Sequence, residues 1–414
     1  MNTSDGDAAV SGGGPLAGLT VVAIEQAVSA PMCSRTLGDL GARVVKIENP
    51  RTGDFARHYD DVVHGQSAHF AWLNRNKESL ALDVKSEKGQ EVLHRLLARA
   101  DVLVSNLAPG ATTRLGIDAD QLAARHPHLV AVEISGYGTG GPLSHKRAYD
   151  LLVQAESGAC AITGWEGSPA KPGPPMADAC TGLYGVITVL AALQDRGRTG
   201  RGTTAAVSLF DTMAELMGYA LTYTRYSGEE QQPVGMGSPA VAPYSAYPTK
   251  DGHTVVLGTT NDAEWQRLVA TMGRPDLAES EPLRRNPDRV ARRAEVDEAV
   301  GAWVAQLTAD EVQEAADAAG IGNSRYNTPA QVVAHPHLAA RDRWREIDSP
   351  GGPVTSLLPP PIIRGHEPRM GALPAIGEHT DAVLADLGYR EADRAALHAA
   401  GVVGAPAATP SRGA

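Results

Sequence analysis

From Leu19 onward the chain alternates short apolar, β-branched runs with amphipathic stretches, and this alternation limits the possible folds more than any other feature. Leu19–Glu25 (LTVVAIE) reads as a buried strand. A helical pattern follows over Pro31–Leu40, and Gly41 supplies its stop before the next strand, Arg43–Glu48 (RVVKIE). Lys88–Arg99 reads as an amphipathic helix leading to the strand Asp101–Ser105, and Gln121–Arg125 as a helix leading to the strand Leu129–Ile134. Strands that are apolar on both faces and separated by helices fit a parallel sheet with helical cover. The predicted class is α/β.

A chain of 414 residues suggests two domains. Residues 1–15, ending in a Gly-rich run, read as a disordered leader, and 404–414 as a flexible tail. A large domain is expected over 16–225. Composition turns polar around Tyr226–Gly237, and charged helices occupy 262–318, so 226–340 is assigned to a smaller α+β domain. Strand and turn patterns return over 341–403, a segment expected to complete the large domain. The net charge of −11 without a basic stripe argues against a nucleic-acid partner. Three cysteines, far apart and in no CxxC pair, signal neither disulfides nor a metal site and fit a cytoplasmic location. No apolar run reads as long enough to span a membrane, and the N-terminus lacks a signal-peptide pattern, so no membrane partner is expected.

In parallel α/β sheets ligands bind at the carboxyl ends of the strands. Those ends here are Glu25–Val28, Glu48–Arg51, Ser105–Ala108 and Ser135–Gly138. Further on, Asp178 stands among small and apolar residues in Pro174-Pro175-Met176-Ala177-Asp178-Ala179-Cys180-Thr181-Gly182. Desolvating a lone carboxylate is costly unless something compensates or uses it. Used, it can be a nucleophile towards an acyl group. Asp178 also suits the N-cap of a helix over Thr181–Gln194. Both readings stand on position alone.

Gly136-Tyr137-Gly138-Thr139-Gly140-Gly141 satisfies GxGxxG but is followed by Pro142 and a basic run instead of a helix. A dinucleotide site is therefore not expected. There is no P-loop, GxSxG or HExxH. Arg114, Lys85 and Arg147 stand near strand ends, where each could meet a phosphate or simply be a solvated cation. Gly235-Met236-Gly237-Ser238 reads either as a plain turn or as a lid that excludes water from a reactive intermediate.

Leu19–Pro31, Gly41–Glu48, Gly53-Asp54, Asn74–Lys77 continuing to Leu82-Asp83, Asn106–Gly110 and Arg114–Gly116 form an ordered series with several later segments. These are Tyr149-Asp150, Thr163-Gly164, Asp178 with Thr181-Gly182, Arg198–Gly202, Ala242–Tyr244 and Gly377–Asp381. In this order and spacing the chain, from about Leu16 to Gly401, resembles the family III CoA-transferases, the group that includes formyl-CoA and carnitine CoA-transferases. The resemblance implies a Rossmann-like large domain, an interlocked homodimer, and Asp178 as the nucleophile that passes through an acyl anhydride and an aspartyl-CoA thioester. It implies CoA contacts at Val28, Ser29, Leu82, Asp83, Val84, Lys85, Asn106, Leu107, Ala108, Arg114, Arg147, Ala148, Tyr149 and Asp150. Gln26 is implied on the substrate side, and Gly235, Met236, Gly237 and Ser238 as the lid. The partners implied are an acyl-CoA donor and a carboxylic acid acceptor, with no cofactor beyond coenzyme A as substrate.

Several positions depart from the family pattern. Gln26 and Val28 stand where the formyl-CoA enzyme has His and Gln, which argues against oxalate or formate as acceptor. Asn49 replaces a basic CoA contact, with Arg51 two positions away. Pro239 follows the lid, and Arg325 precedes Asn327-Thr328. An α-methylacyl-CoA racemase on the same fold is a rival reading, but racemases pair the aspartate with a histidine where this chain has Tyr149. A catalytically silent CoA-binding homologue is another.

Overall fold

The computed structural model describes residues 13–405. Residues 1–12 and 406–414, most of the expected leader and tail, lie outside the described residues. The described ends of those segments are tied into the fold. Gly14 lies so close to Leu40 that a Cβ there would stand 2.3 Å from its carbonyl oxygen, and the Gly404 N–H donates to the Ala81 carbonyl at 3.1 Å.

The strands are β1 (Thr20–Ile24), β2 (Arg43–Glu48), β3 (Lys77–Ala81), β4 (Val102–Ser105) and β5 (Val130–Ser135). Then come the two-residue strands β6 (Gly164–Trp165) and β7 (Ser168–Pro169), followed by β8 (Thr204–Ser208). The helices to the same point are α1 (Ser29–Asp39), α2 (Ala68–Leu73), α3 (Glu87–Leu97), α4 (Ala111–Arg114), α5 (Ala119–Arg125), α6 (Asp150–Glu156), α7 (Met176–Thr199), α8 (Leu209–Leu216) and α9 (Gly218–Ser227). Six strands form one parallel sheet in the order β3-β2-β1-β4-β5-β8. Chain order runs outward from β1 through β2 to β3 and then restarts on the other side of β1 at β4. That reversal opens a crevice between the loops after β1 and β4, the usual place for a ligand in such a sheet.

The alternation in the sequence thus becomes the expected helix-covered parallel sheet, with two additions. β3 (KESLA) carries no apolar run, because Lys77 and Ser79 point into a polar part of the interior. It is also an edge strand, and the C-terminal segment closes its free side. The His379 N–H donates to the Ser79 carbonyl at 3.0 Å, the Ser79 N–H to His379 Nδ1 at 3.2 Å, and the Ala81 N–H to Thr380 Oγ1 at 3.2 Å. Leu82 bridges to Val403 beyond the strand. An unpaired edge is a template for unwanted strand pairing, so such closure has a protective role.

The described residues divide into two compact units, one of 13–157, 173–216 and 342–405 and the other of 158–172 and 217–341. Relative to the boundaries read from composition, helix α9 and the hairpin β6–β7 group with the second unit. The hairpin strands are too short to leave a pattern in the sequence. The second unit contains a three-stranded antiparallel sheet, β9 (Tyr244–Pro248), β10 (Thr254–Gly258) and β11 (Gly322–Arg325), with β10 in the centre. Its apolar core includes Val255, Leu257, Trp265, Leu268, Val300 and Val312.

Helix α7 corrects two expectations. It begins at Met176, five residues before the predicted start, so Asp178 lies inside its first turn and Pro175 occupies the N-cap. It is also 24 residues long with a mean hydropathy of 1.6 over its most apolar window, enough by length and composition to cross a membrane. One face of it is buried, through Ala177, Thr181, Gly182, Gly185, Val186 and Val189. The other face leaves Leu183, Tyr184, Ile187 and Leu190 exposed.

Candidate active site

The site is organised by the contact of α7 with α1. Gly182 is the enabling residue, since a Cβ there would lie 2.5 Å from the Ser29 carbonyl oxygen and 2.7 Å from Met32 Cβ. One turn earlier on α7, Asp178 is half-buried, with the Ser29 hydroxyl near enough to favour its charged form. Burial, followed by the nearby carboxylate of Asp150, pushes the Asp178 carboxyl up to about 7, and the Ser29 hydroxyl offsets part of this.

Asp150, the first residue of α6, resolves the capping question. Its Oδ1 accepts the Ala177 N–H at 3.0 Å and the Asp178 N–H at 3.4 Å, and its Oδ2 accepts from Gln154 Nε2 at 2.7 Å. First-turn N–H groups of α7 therefore have a partner from another helix. Asp178 is not the cap, and its carboxylate is left for other work. Tyr59 also belongs here. Burial, then the charges of Asp54 and Asp178 and the neighbouring Tyr149, raise its phenol above the ordinary value. The Cys180 thiol is likewise raised by burial and Asp150, which disfavours a competing thiolate.

Residues expected at the strand ends gather at the crevice beside β1. Val28 precedes α1 and Ser29 opens it, and both are buried. Asn106, after β4, accepts the Gln26 N–H at 2.9 Å and donates to the Gln26 carbonyl at 2.8 Å, so the loops after β1 and β4 are locked together. Leu107 packs against the main core while Ala108 is exposed. Gly136, at the end of β5, has no room for a Cβ, which would lie 2.2 Å from Ala148 Cβ. This close approach brings the segment Arg147, Ala148, Tyr149 and Asp150 to the same sheet. Arg147 and Tyr149 are exposed.

After β3, the Leu82 side chain is buried in the core and its N–H is taken by the Glu48 carbonyl. Asp83 Oδ1 accepts the Lys85 N–H at 3.1 Å, Val84 packs on the core, and Lys85 is exposed. Any ligand here meets Lys85 and the turn rather than the Leu82 side chain. Arg114 ends α4 and is exposed. The glycines at 136–141 open no helix, the next one starting at Asp150, so the dinucleotide reading fails on geometry.

The predicted lid lies in the second unit. Gly235 has φ of 61° and donates its N–H to the Gly164 carbonyl at 2.7 Å. A Cβ at Gly235 would enter the Trp165 ring. Met236 is exposed, and the Ser238 carbonyl accepts from Arg293. Trp165, on a hairpin the sequence did not reveal, is the seat of this loop. Arg325 pairs with Asp310 and with Gln313, which accepts at 2.7 Å. Among the described residues no group of three or more His, Cys, Asp or Glu is placed to hold a metal ion.

Comparison with known proteins agrees with this architecture. The model of CoA-transferase family III matches residues 16–380. Succinyl-CoA--D-citramalate CoA-transferase of Chloroflexus aurantiacus is 29% identical over 94% of this chain and 98% of its own length. Succinyl-CoA:glutarate CoA-transferase of Homo sapiens is 29% identical over 94% of this chain and 90% of its own. Among solved structures, a CAIB/BAIF family protein from Brucella suis superposes with a TM-score of 0.79 at 32% identity, covering 91% of this chain and all of that one. The six-stranded parallel sheet, the site at its carboxyl edge and the family match over nearly the whole chain place this enzyme in CoA-transferase family III.

Proposed function

We propose that the protein moves CoA from an acyl-CoA donor to a carboxylic acid acceptor by covalent catalysis on Asp178. The observation that carries this reading is the Asp178 carboxyl, desolvated at the start of α7, close to Asp150 and with the Ser29 hydroxyl beside it favouring its charged form. A carboxyl poised near 7 is more basic and a better nucleophile than an ordinary carboxylate, while still ionised in good part at neutral pH.

The steps balance without water or net proton transfer. The Asp178 carboxylate attacks the donor thioester carbonyl, CoA thiolate leaves, and an aspartyl anhydride forms. The thiolate attacks the Asp178 carbonyl, releasing the donor acid and leaving an aspartyl-CoA thioester. The acceptor carboxylate attacks that thioester, again expelling thiolate and forming a second anhydride. Attack of the thiolate on the acceptor carbonyl yields the new acyl-CoA and frees Asp178. Each step needs a dry, oriented site. Gly235–Ser238 is the segment proposed to exclude water.

Lys85, Arg114 and Arg147 are proposed as phosphate contacts, with Val28, Ser29, Asn106 and the 147–150 segment along the pantetheine. The names of the two relatives support succinyl-CoA as donor and a dicarboxylic acid as acceptor. A homodimer is proposed as well. Its support is the apolar surface left by Leu183, Ile187 and Leu190 on α7 with Leu151 and Leu152 on α6, which a second copy can cover.

The test is intact-protein mass spectrometry after mixing with succinyl-CoA and other acyl-CoAs, with hydroxylamine trapping. The expected result is an adduct at Asp178. Asp178→Ala should lose several powers of ten in transfer, each about 1.4 kcal/mol of barrier. Equal rates in variant and wild type would falsify the assignment. Deuterium wash-in at the α-carbon of a branched acyl-CoA without any adduct would instead favour the racemase reading.

A further inference from the structure

The turn Gln26–Ser29 contains an alanine in an unusual conformation. Ala27 has φ of 63°, in the left-handed region that residues with a Cβ disfavour. Strain of this kind persists where the surroundings over-determine it, and it concentrates at functional sites. The surroundings here are specific. Asn106 grips the Gln26 peptide from both sides. Asp54, which is 1% exposed, accepts the Ala27 N–H on Oδ1 at 3.1 Å and the Ala56 N–H on the same atom at 2.9 Å. Its Oδ2 accepts from Lys46 Nζ at 2.8 Å. Lys46 also reaches Glu25 Oε1 at 3.3 Å, and Lys77 Nζ donates to that same oxygen at 2.6 Å. Both neighbours of Gln26, Glu25 by its side chain and Ala27 by its N–H, are thus tied to one buried network of two ammonium and two carboxylate groups.

The turn leads directly into the reactive centre. Ser29 lies two residues after Ala27, its carbonyl lies against Gly182 one turn after Asp178 on α7, and its hydroxyl favours the charged form of Asp178. The approach of Gly182 to the Ser29 carbonyl leaves no slack between α1 and α7. A change in the direction of the chain at Ala27 therefore moves Ser29 relative to the carboxylate. We propose that Asp54 is a positioning residue, which holds Ala27 in the left-handed conformation and so sets the Ser29 hydroxyl against Asp178. The role rests on the reading of Asp178 as nucleophile.

The test compares Asp54→Ala, Ala27→Val, and Asp54→Ala combined with Ala27→Gly. Succinyl-CoA and glutarate serve as substrates, and kcat, KM and the pH dependence of kcat are measured with Asp178→Ala alongside. The groups facing Asp178 are Asp150 from α6, Ser29 from α1, and Tyr59 with Tyr149 beside it. The positioning role predicts that Asp54→Ala, which removes the acceptor of the Ala27 N–H, lowers kcat by at least about tenfold while KM stays within about threefold. The acid limb of kcat should move to higher pH, because Asp178 loses a donor that favours its ionised form. Ala27→Gly in that background should restore most of the loss, since glycine adopts the left-handed conformation without a clamp. Ala27→Val leaves every buried charge in place and should reproduce the loss in kcat.

If Asp54→Ala and Ala27→Val melt earlier yet keep kcat and the acid limb, Asp54 only holds the interior together and the proposal is wrong. Should Asp54→Ala fail to fold, Ala27→Val decides the matter alone. Full transfer by Asp178→Ala would overturn the nucleophile instead, a result distinct from either.

Discussion

The interior of the second unit is built from Val255, Leu257, Trp265, Leu268, Val300 and Val312, whereas the first unit buries Glu25, Lys46, Glu48, Asp54 and Lys77 beside its site at 3% exposure or less. Among the described residues, Arg289 is the one charge buried in the second unit, and its guanidinium is spent on the carbonyls of Ala242, Leu283 and Arg284 and on Asp262. Apolar packing stabilises through area and tolerates repacking. Ion pairs in a dry interior cost desolvation and return directionality. Directionality is what the loop after β1 needs, because a peptide is held there in a conformation that packing alone would let go. The difference therefore separates a region selected for cohesion from one selected for geometry.

The sharpest way to break this contrast is Lys46→Met. It removes the cation shared by Glu25 and Asp54, and a buried charge left without its partner costs about 3–5 kcal/mol. Urea denaturation should show a loss of that order, and a variant as stable as wild type would mean the network is not structural at all. Next is Leu268→Ala in the second unit, expected to cost about 2–5 kcal/mol through lost transfer energy and a cavity. Protein that remains folded should keep the acid limb of its pH–rate profile in place. A shifted limb would show that the apolar core also tunes Asp178.

The gentlest comparison uses acid. Burial alone would raise Glu48, but hydrogen bonds and charge from Arg57, with Lys46 and Ser79, hold it at about 2 against an ordinary 4.5. A carboxyl lowered on folding contributes stability that is complete above the unfolded value and lost as pH falls through the folded one. The midpoint in urea should therefore decline between pH 4.5 and about 2. Glu48→Gln should flatten that decline, and an unchanged slope would remove Glu48 from the account.

Strands rich in Val and Ile were legible in the sequence to within a residue or two, because burial on both faces leaves an unbroken apolar run. β3 was not, since Lys77 and Ser79 face inward and their partners, among them Glu25 and Glu48, lie far away in the chain. The candidate nucleophile was legible from the unusual setting of Asp178. Its freedom from capping was not, because the cap is Asp150, 28 residues away in the chain. Asp54 was visible only as part of Gly53-Asp54, and its role depends on a left-handed alanine that no local rule predicts. The start of α7 was misplaced because Pro174-Pro175 reads as loop. Trp165 stayed hidden because two-residue strands have no periodicity.

The closure of β3 by residues 377–404 has a consequence for synthesis. The sheet strands are complete in the chain by Ser208 and most of the second unit comes after them, yet the groups that seal β3 come only with His379 and Thr380. For the whole interval the nascent chain carries an open parallel edge, the kind that recruits other strands. Synthesis of the segment around His379 is thus the step at which this edge is sealed, and a chain halted before it would keep β3 open to other strands.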